Sequence, residues 1–213
     1  MTIRQAMPRN ADLYLNRIEF DRYAKGESCD LCRAASLQEL LDRLKRGEMP
    51  SGPCAHWPAG RRAAFRNALT AGDIVPEVPA LELPRPVEPG LLKINAPVLS
   101  APLLVTGNSE FTQAVLLAIL SRTKGPLRLL FVDTHGHTVD MAMVFQVLTA
   151  ERVAAAIERE GIEPGEPRRV VLPGLAAEIA PAVSEKLGRQ VEVGPVCAAE
   201  LSLSLGEDWK SVD

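Results

Sequence analysis

The chain is poor in aromatic residues and has no large excess of charge. Aromatic residues make up 4% of its 213 residues, so a hydrophobic core must be built mainly from Leu, Val, Ile and Ala. The formal net charge is −3 and the sequence pI is about 5.7. The strong basic character typical of nucleic-acid-binding proteins is therefore missing, and no nucleic acid is expected as a partner.

The chain also lacks long apolar runs. No segment approaches the ~18 consecutive apolar residues that indicate a membrane-spanning helix, and residues 1–15 lack the apolar centre of a signal peptide. We therefore expect a cytoplasmic protein without a membrane partner. The four cysteines are then not expected to form structural disulfides, because the cytoplasm keeps thiols reduced.

Three of these cysteines lie close together as Cys29, Cys32 and Cys54. Two thiolates three residues apart can reach one metal ion from a single turn, so the spacing favours a zinc or iron–sulfur site. His56 could supply the fourth ligand of a Cys3His zinc site. The alternative is three reduced thiols that bind no metal, and spacing alone leaves these interpretations open.

Composition divides the chain into three parts. Residues 1–71 read as a small, mostly helical cysteine region, with Ser36 and Glu39 in a capping-box pattern before a helix at 37–46 and a basic helix at 60–71. Residues 72–100 contain six prolines, which predicts an extended, proline-rich linker. Residues 101–213 form the third part.

Short apolar runs alternate with helical patterns in this third part. We predict strands at 103–106, 127–132, 169–172 and 190–193. The predicted helices lie at 111–121, 139–147, 150–160, 175–187 and 198–205, and Pro181 should kink the fourth of them or mark a break in it. This order is typical of an α/β domain with a Rossmann-like open parallel sheet and helices on both faces.

The candidate site follows the second of these strands. The small, polar turn Asp133 to Thr138 separates the strand from an apolar helix, and such turns contact ligands at the carboxyl edge of parallel sheets. His135 and His137 are either exposed turn residues or metal ligands. Asn108, Ser109 and Thr112 are hydrogen-bond donors for a ligand or ordinary helix caps. A nucleotide site ranks behind these readings, because no GxGxxG or P-loop pattern is present.

Together these motifs resemble the large (gamma) subunit of the corrinoid iron–sulfur protein of the CO dehydrogenase/acetyl-CoA synthase complex. They are also similar to the corrinoid domain of the mercury-methylating corrinoid protein. The first family carries a 4Fe-4S motif, Cys-x2-Cys-x4-Cys-x16-Cys; here Cys29, Cys32 and Cys54 stand at its first, second and fourth places, and Leu37 at the third. Further matches are the segments 102–108, 132–139, 168–174 and 193–199.

This resemblance implies a corrinoid (cobalamin) cofactor bound base-off, with an iron–sulfur cluster in doubt. The predicted corrinoid contacts are Thr106, Asn108, Ser109, Thr112, Asp133, Thr134, Gly136, His137, Thr138, Met143, Pro173, Gly174, Gly194, Pro195 and Ala198. Met143 is expected under the corrin ring, as part of an apolar lid with Met141, Ala142 and Phe145, or as a weak cobalt ligand. His137 is the alternative ligand.

The function implied is that of a methyl carrier between partner methyltransferases in one-carbon metabolism. The family's TIM barrel between the two domains is missing here, so a partner must cover the corrinoid. Candidate partners are a TIM-barrel small subunit or a methyltetrahydrofolate-type methyltransferase, with a reductive activator. The alternative is a non-catalytic assembly subunit of a methyltransferase complex without a functional cluster, which the leucine at position 37 favours.

Overall fold

The computed structural model describes residues 13–24, 36–48, 58–76, 83–163 and 165–212. Its centre is a five-stranded sheet. The strands are β1 (Gly90–Ile94), β2 (Leu103–Gly107), β3 (Leu127–Val132), β4 (Val170–Leu172) and β5 (Glu192–Val193). They lie in the order β1-β3-β2-β4-β5, and only β1 is antiparallel to its neighbour. The predicted α/β sheet is confirmed.

Helices cover both faces of this sheet. Those that follow β2 in the chain are α4 (Glu110–Leu120), α5 (Val139–Val144), α6 (Ala150–Arg159), α7 (Ala180–Leu187) and α8 (Leu201–Ser204). Successive residues of β2 point to opposite faces, as strand geometry requires. Leu103 and Val105 join the core beneath α5, α6 and α7, whereas Leu104 joins the core beneath α4 and α8.

The helix boundaries follow from local capping. Thr149 begins α6, where its hydroxyl accepts from the N–H of Arg152, as predicted. Gln146 has a left-handed φ of 54°, and the N–H of Val147 bonds back to the carbonyl of Ala142. This arrangement is a common helix termination, and it ends α5 at Val144 rather than at the expected residue 147.

Proline explains the predicted break in the next helical segment. A 3-10 helix at Gly174–Ile179 precedes α7, and Pro181 lies in the first turn of α7. A proline is tolerated there because the first N–H groups of a helix have no partner within it. A second 3-10 helix, Ala198–Glu200, leads into α8, and a third, Gly206–Asp208, follows it.

Among the described residues before the sheet, three helices are present, α1 (Phe20–Ala24), α2 (Leu37–Lys45) and α3 (Ala59–Leu69), with 3-10 turns at Leu15–Arg17 and Ala71–Asp73. The predicted cap is present, since Ser36 Oγ accepts from the N–H of Glu39 at 3.2 Å. The buried residues Leu40, Leu41, Leu44 and Phe65 form a small core between α2 and α3. Ala64 of α3 joins the core of the sheet.

Part of the predicted proline-rich linker, residues 72–100, is a strand rather than a linker. Residues 90–94 form β1, which pairs with β3 in the register Gly90 to Phe131 and Ile94 to Leu127. Leu92 and Ile94 pack against the same core as α4. Because these apolar side chains pack against the core and the backbone pairs with β3, this part of the proline-rich segment forms an edge strand of the sheet.

Candidate functional site

The chain order reverses at β2, since β3 lies on one side of it and β4 on the other. The four parallel strands follow the order of the first four strands of a flavodoxin-like sheet, and β1 adds an antiparallel strand at one edge. In open α/β sheets a ligand crevice forms outside the carboxyl ends of the strands at such a reversal. Thr106 near the end of β2 and Pro173 directly after β4 mark this position.

The buried Asn108 organises the turn that closes this edge. Its Oδ1 accepts from the N–H of Thr134 at 2.8 Å and from the N–H of Gly136 at 3.2 Å. Its Nδ2 donates to the carbonyl of Val87 at 2.8 Å. One buried side chain therefore ties the turn after β3 to the turn after β2 and to the segment before β1.

Thr134 is fully buried and completes this network. Its Oγ1 accepts from the N–H of Asn108 at 3.2 Å and donates to the carbonyl of His137 at 3.0 Å. Gly136 has a φ of 78°, and a Cβ there would lie 2.4 Å from the backbone N of Pro86. Only glycine allows the segment at residues 85 and 86 to approach so closely.

A cavity of about 670 Å³ lies beside this turn. It extends from the carboxyl ends of β2 and β4 down between the sheet and α4, where Leu104, Leu116 and Leu129 line it. Its size and largely apolar lining are typical of a small-molecule or cofactor site.

Ten of the fifteen predicted contact residues line this cavity. They are Thr106, Ser109, Thr112, Gly136, His137, Thr138, Pro173, Gly194, Pro195 and Ala198. They come from four separate stretches of sequence, and the parallel sheet brings them together because it places the carboxyl ends of its strands at one edge.

The other five do not line it. Asn108 and Thr134 serve the turn network. Asp133 accepts from the N–H of His135 at 2.9 Å, a turn contact that is typical of aspartate. Gly174 lies where a Cβ would be 2.7 Å from Pro195 C and Val196 N, so it allows two cavity walls to pack together.

Met143 also differs from expectation. Its side chain is partly buried and packs against the core beneath α5, α6 and α7, together with Val139 and Ala142. Residues 139, 142 and 143 share one helix face, since helical neighbours lie three and four positions apart. Met141 lies on another face, is 40% exposed and lines the cavity. Within α5, Met141 rather than Met143 therefore lines the cavity.

The start of α4 supplies hydrogen-bond donors at the cavity. Ser109 precedes the helix but its side chain makes no capping bond. The N–H of Glu110 donates to the carbonyl of Arg85 at 2.9 Å. The N–H groups of Phe111 and Thr112 make no hydrogen bond within the part of the chain that the structure describes. Such a helix start is suited to an anionic group.

Other cavity residues could not be found from the sequence pattern. Leu13 and Tyr14 reach the cavity from the beginning of the chain, and Leu83, Pro84 and Arg85 from the segment before β1. The Tyr14 hydroxyl lies 3.4 Å from Asp140 Oδ2, and Cys197 Sγ lies 3.2 Å from the carbonyl of Leu13. More than a hundred residues separate the members of each pair, and no local pattern signals such contacts.

The predicted metal ligands Cys29, Cys32 and Cys54 lie outside the described residues, as does His56. Leu37, at the third place of the cysteine motif, is the first residue of α2 and packs against the small helical core. Among the described residues there is no group of three His, Cys, Asp or Glu side chains that could hold a metal ion. Nor does any described helix have the length and apolar character needed to cross a membrane.

The sheet order and the helices on both faces define a Rossmann-like α/β domain with a cavity at the reversal of strand order. The sequence model of the CO dehydrogenase/acetyl-CoA synthase delta subunit matches residues 80–203, more than half of the chain. The chain therefore belongs to the CO dehydrogenase/acetyl-CoA synthase delta subunit family. This match includes every predicted contact residue and begins before β1.

Curated relatives come from an acetyl-CoA decarbonylase/synthase complex but are named gamma subunits, whereas the family model is named for a delta subunit. The gamma subunit of the acetyl-CoA decarbonylase/synthase complex of Methanosarcina acetivorans is 31% identical over 59% of this chain and 28% of its own length. That of Methanopyrus kandleri is 35% identical over 55% and 26%. The gamma 2 subunit of Methanosarcina thermophila is 30% identical over 73% and 37%. The chain thus spans between about a quarter and somewhat more than a third of the length of these relatives.

Proposed function

We propose that this chain binds a corrinoid in the cavity at the carboxyl edge of its sheet and carries methyl groups between partner methyltransferases. The observation that supports this most directly is the gathering of ten predicted contact residues around one cavity of about 670 Å³. The sequence pattern and the family resemblance predict each of these residues independently of its position in the fold.

The chemistry of the cavity suits such a cofactor. A corrinoid is a large, mostly apolar disc with a polar rim and a phosphate-bearing tail. The glycine and proline residues at positions 136, 173, 194 and 195 leave the cavity edge without long side chains, so a flat group can approach the backbone. The start of α4, with the N–H groups of Phe111 and Thr112 and the hydroxyl of Ser109, is placed to bind the phosphate.

The depth of the cavity suggests how the two parts of the cofactor divide it. Met141 and His137 would contact the disc at the carboxyl edge, and the residues that line the cavity between the sheet and α4 would hold the tail. The protein orients the group and excludes water from one side of it. The bound corrinoid itself supplies a cobalt centre that accepts and donates a methyl group.

Exposed apolar side chains near the cavity indicate where a partner protein would bind. The exposed apolar side chains of Met141, Val144 and Phe145 lie beside the cavity on α5 or directly after it. We propose that a TIM-barrel small subunit or a methyltetrahydrofolate-type methyltransferase covers the second face of the corrinoid here. A reductive activator would act through an iron–sulfur cluster at Cys29, Cys32 and Cys54, if the chain assembles one.

The second candidate function is a non-catalytic subunit that docks on a methyltransferase complex. Leu37 at the third place of the cysteine motif favours it, because its side chain packs into the small helical core and leaves a cluster one cysteine short.

Equilibrium dialysis of the full chain against hydroxocobalamin distinguishes the two functions. We expect saturable retention of about one corrinoid per chain, with an absorbance spectrum of the base-off form. Leu116→Trp, which fills the deep part of the cavity with a larger apolar side chain, should reduce retention at least about tenfold. Leu41→Trp, a change of the same kind in the separate helical core, is the matched control. Retention no higher than that of an unrelated protein would leave the assembly subunit as the better function.

A further inference from the structure

Two segments that precede the sheet in the chain line the cavity, and they are attached to it in different ways. The segment before β1, residues 83–85, is held through the backbone. The N–H of Glu110 donates to the carbonyl of Arg85 at 2.9 Å, and the N–H of Val87 donates to the carbonyl of Asn108 at 2.8 Å. Because main-chain bonds fix this segment on the turn after β2, it forms a permanent wall of the cavity.

The second segment, the strap, consists of residues 13–17, of which Leu13 and Tyr14 line the cavity. Within the described part of the chain, residues 15–18 form backbone hydrogen bonds only with close neighbours in sequence. None of the residues in the 3-10 turn Leu15–Arg17 is buried. Tyr14 has a left-handed φ of 56°, a conformation that costs free energy in a residue with a Cβ. The strap backbone is therefore not tied to the sheet as residues 83–85 are.

Side-chain contacts attach the strap to the cavity walls. The Tyr14 hydroxyl donates to Asp140 Oδ2 at 3.4 Å, which is a long hydrogen bond, and the Cys197 thiol donates to the carbonyl of Leu13 at 3.2 Å. The Tyr14 ring also packs against the core beneath α4 and α8. A segment with few buried contacts and few backbone bonds to its surroundings opens locally at a low cost in free energy.

The chain directly after the strap is more firmly attached. Ile18 has an extended backbone, with φ −68° and ψ 119°, and α1 begins two residues later at Phe20. The rings of Phe20 and Phe65 lie with their centroids 6.1 Å apart, and Ala24 is buried in the same small helical core. A displacement of the strap would therefore pivot near residue 18 and leave α1 in place.

We propose that the strap is a gate: residues 13–17 swing away from the cavity while the rest of the domain stays folded, and a ligand enters through this opening. The opening does not depend on the identity of the ligand, and only its use for corrinoid entry rests on the proposed function. Cys197 reports such a motion, because it is 2% exposed and its Sγ contacts a carbonyl of the strap.

Thiol labelling measures the opening without a ligand. The full chain is treated with iodoacetamide at a series of urea concentrations below the unfolding transition, and mass spectrometry of the peptide 190–210 gives the labelling rate of Cys197. Exposure by global unfolding makes this rate rise steeply with urea, whereas local opening gives a rate that hardly depends on urea. We expect a nearly urea-independent rate in the unaltered protein. A steep dependence at every urea concentration overturns the gate.

A pair of variants identifies the strap as the part that moves. Tyr14→Ala removes the ring and the hydroxyl that attach the strap, so the urea-independent labelling rate of Cys197 should rise at least about tenfold. Val153→Ala is the matched control, because Val153 is fully buried in the core beneath α5, α6 and α7 and its truncation lowers global stability on the other face of the sheet. Its labelling rate at low urea should equal that of the unaltered protein. An unchanged rate in Tyr14→Ala would mean that Cys197 is exposed by another motion.

A cross-link tests whether a ligand enters through the strap. Leu13→Cys places a second thiol close to Cys197, and oxidation then joins the strap to the cavity wall, which peptide mass spectrometry verifies. Uptake of hydroxocobalamin should be at least about tenfold slower in the oxidised form than in the reduced form of this variant. The double variant Leu13→Cys/Cys197→Ser, oxidised in the same way, controls for the other cysteines and should show no such difference. Equal uptake by the cross-linked and reduced forms overturns entry through the strap.

These experiments separate the gate from the proposed function. If the unaltered protein takes up no corrinoid, the proposed function is rejected, while the labelling of Cys197 still decides whether the strap opens. If the cross-linked and reduced forms take up corrinoid equally fast, the gate is rejected and corrinoid binding stands.

Discussion

The Tyr23 hydroxyl donates a hydrogen bond of 2.6 Å to Glu200 Oε1, and this contact joins the amino-terminal helices to the wall of the cavity. Tyr23 belongs to α1, whereas Glu200 is 4% exposed and lies two residues after the cavity residue Ala198. Arg61 of α3 reinforces the junction by donating to the carbonyl of Tyr23 at 2.6 Å. The amino-terminal helices therefore support the segment that closes one side of the site.

Tyr23→Phe should lower the free energy of unfolding by about 2 kcal/mol, the range for a hydrogen bond to a carboxyl group that is left buried without its partner. Urea unfolding near neutral pH measures this loss. Phe65→Leu, a volume change in the adjacent small core, serves as a comparison that keeps the hydrogen bond. An unchanged free energy of unfolding in Tyr23→Phe would mean that the junction adds no stability.

The same pair predicts a dependence on alkaline pH. Burial first, and then the hydrogen bond to Glu200, raises the pKa of Tyr23 above its ordinary value of about 10. Because the folded-state pKa is the higher one, the stabilisation is complete below pH ~10 and is lost as the pH rises from there towards the folded-state value. The stability difference between the unaltered protein and Tyr23→Phe should therefore shrink above pH ~10. In a Tyr14→Phe background Tyr23 is the remaining tyrosine, so its tyrosinate absorbance reports the titration, and a curve centred on the ordinary value would contradict the prediction.

Asn108→Ala should destabilise the domain by about 3 kcal/mol, because the N–H groups of Thr134 and Gly136 lose their buried acceptor. Corrinoid retention should fall with it, since the turn at 134–138 forms a cavity wall. Asn67→Ala is the control: Asn67 Nδ2 makes one bond of 3.3 Å to Ser211 Oγ, away from the cavity, and its loss should cost less than about 1 kcal/mol. Equal losses in thermal unfolding would argue against a central role for Asn108.

Gly136→Ala tests the close approach of two backbone segments. The added Cβ would lie 2.4 Å from Pro86 N and 2.6 Å from Arg85 C, in a residue whose φ is 78°. Gly188 has a similar φ of 61° but open space around it, so Gly188→Ala measures the left-handed strain alone, about 1 kcal/mol. We expect the loss of stability to be clearly larger in Gly136→Ala, together with weaker corrinoid retention. If both variants behave alike in unfolding and in dialysis, the approach of residues 85 and 86 does not shape the site.

Leu37→Cys tests the proposed cluster. Three thiolates leave one iron without a cysteine ligand, so the unaltered chain should hold substoichiometric, oxygen-sensitive iron after anaerobic purification. Restoring the third cysteine should give a more robust four-iron cluster, measured by iron analysis and absorbance. Leu37→Ala controls for the packing that Leu37 contributes to the small core. Absence of iron in Leu37→Cys after reconstitution would make zinc, or no metal, the better interpretation.

Periodicity and capping determined much of the secondary structure. The predicted β2 and β3 match the structure closely, because buried strands carry short apolar runs that a polar turn ends. Thr149 and Ser36 begin their helices as expected, and Pro181 marks a helix start, since these effects depend on neighbours within four residues. The edge strand β1 was not expected, because the prolines around it indicate an extended linker. Its three apolar residues form a strand by pairing with β3, which lies more than thirty residues later in the chain.

The sequence by itself predicted a set of candidate site residues, but only the tertiary structure decided which of them line the cavity. Residues near Thr106, Gly136, Pro173 and Gly194 are far apart in the chain, and a parallel sheet places them at one edge whatever the helices between them contain. Whether a side chain then faces ligand space or core depends on packing against other elements. The Met143 side chain packs against the core, Met141 lines the cavity instead, and Tyr14 reaches the cavity from the amino-terminal part of the chain. These outcomes depend on long-range contacts, and no local pattern encodes them.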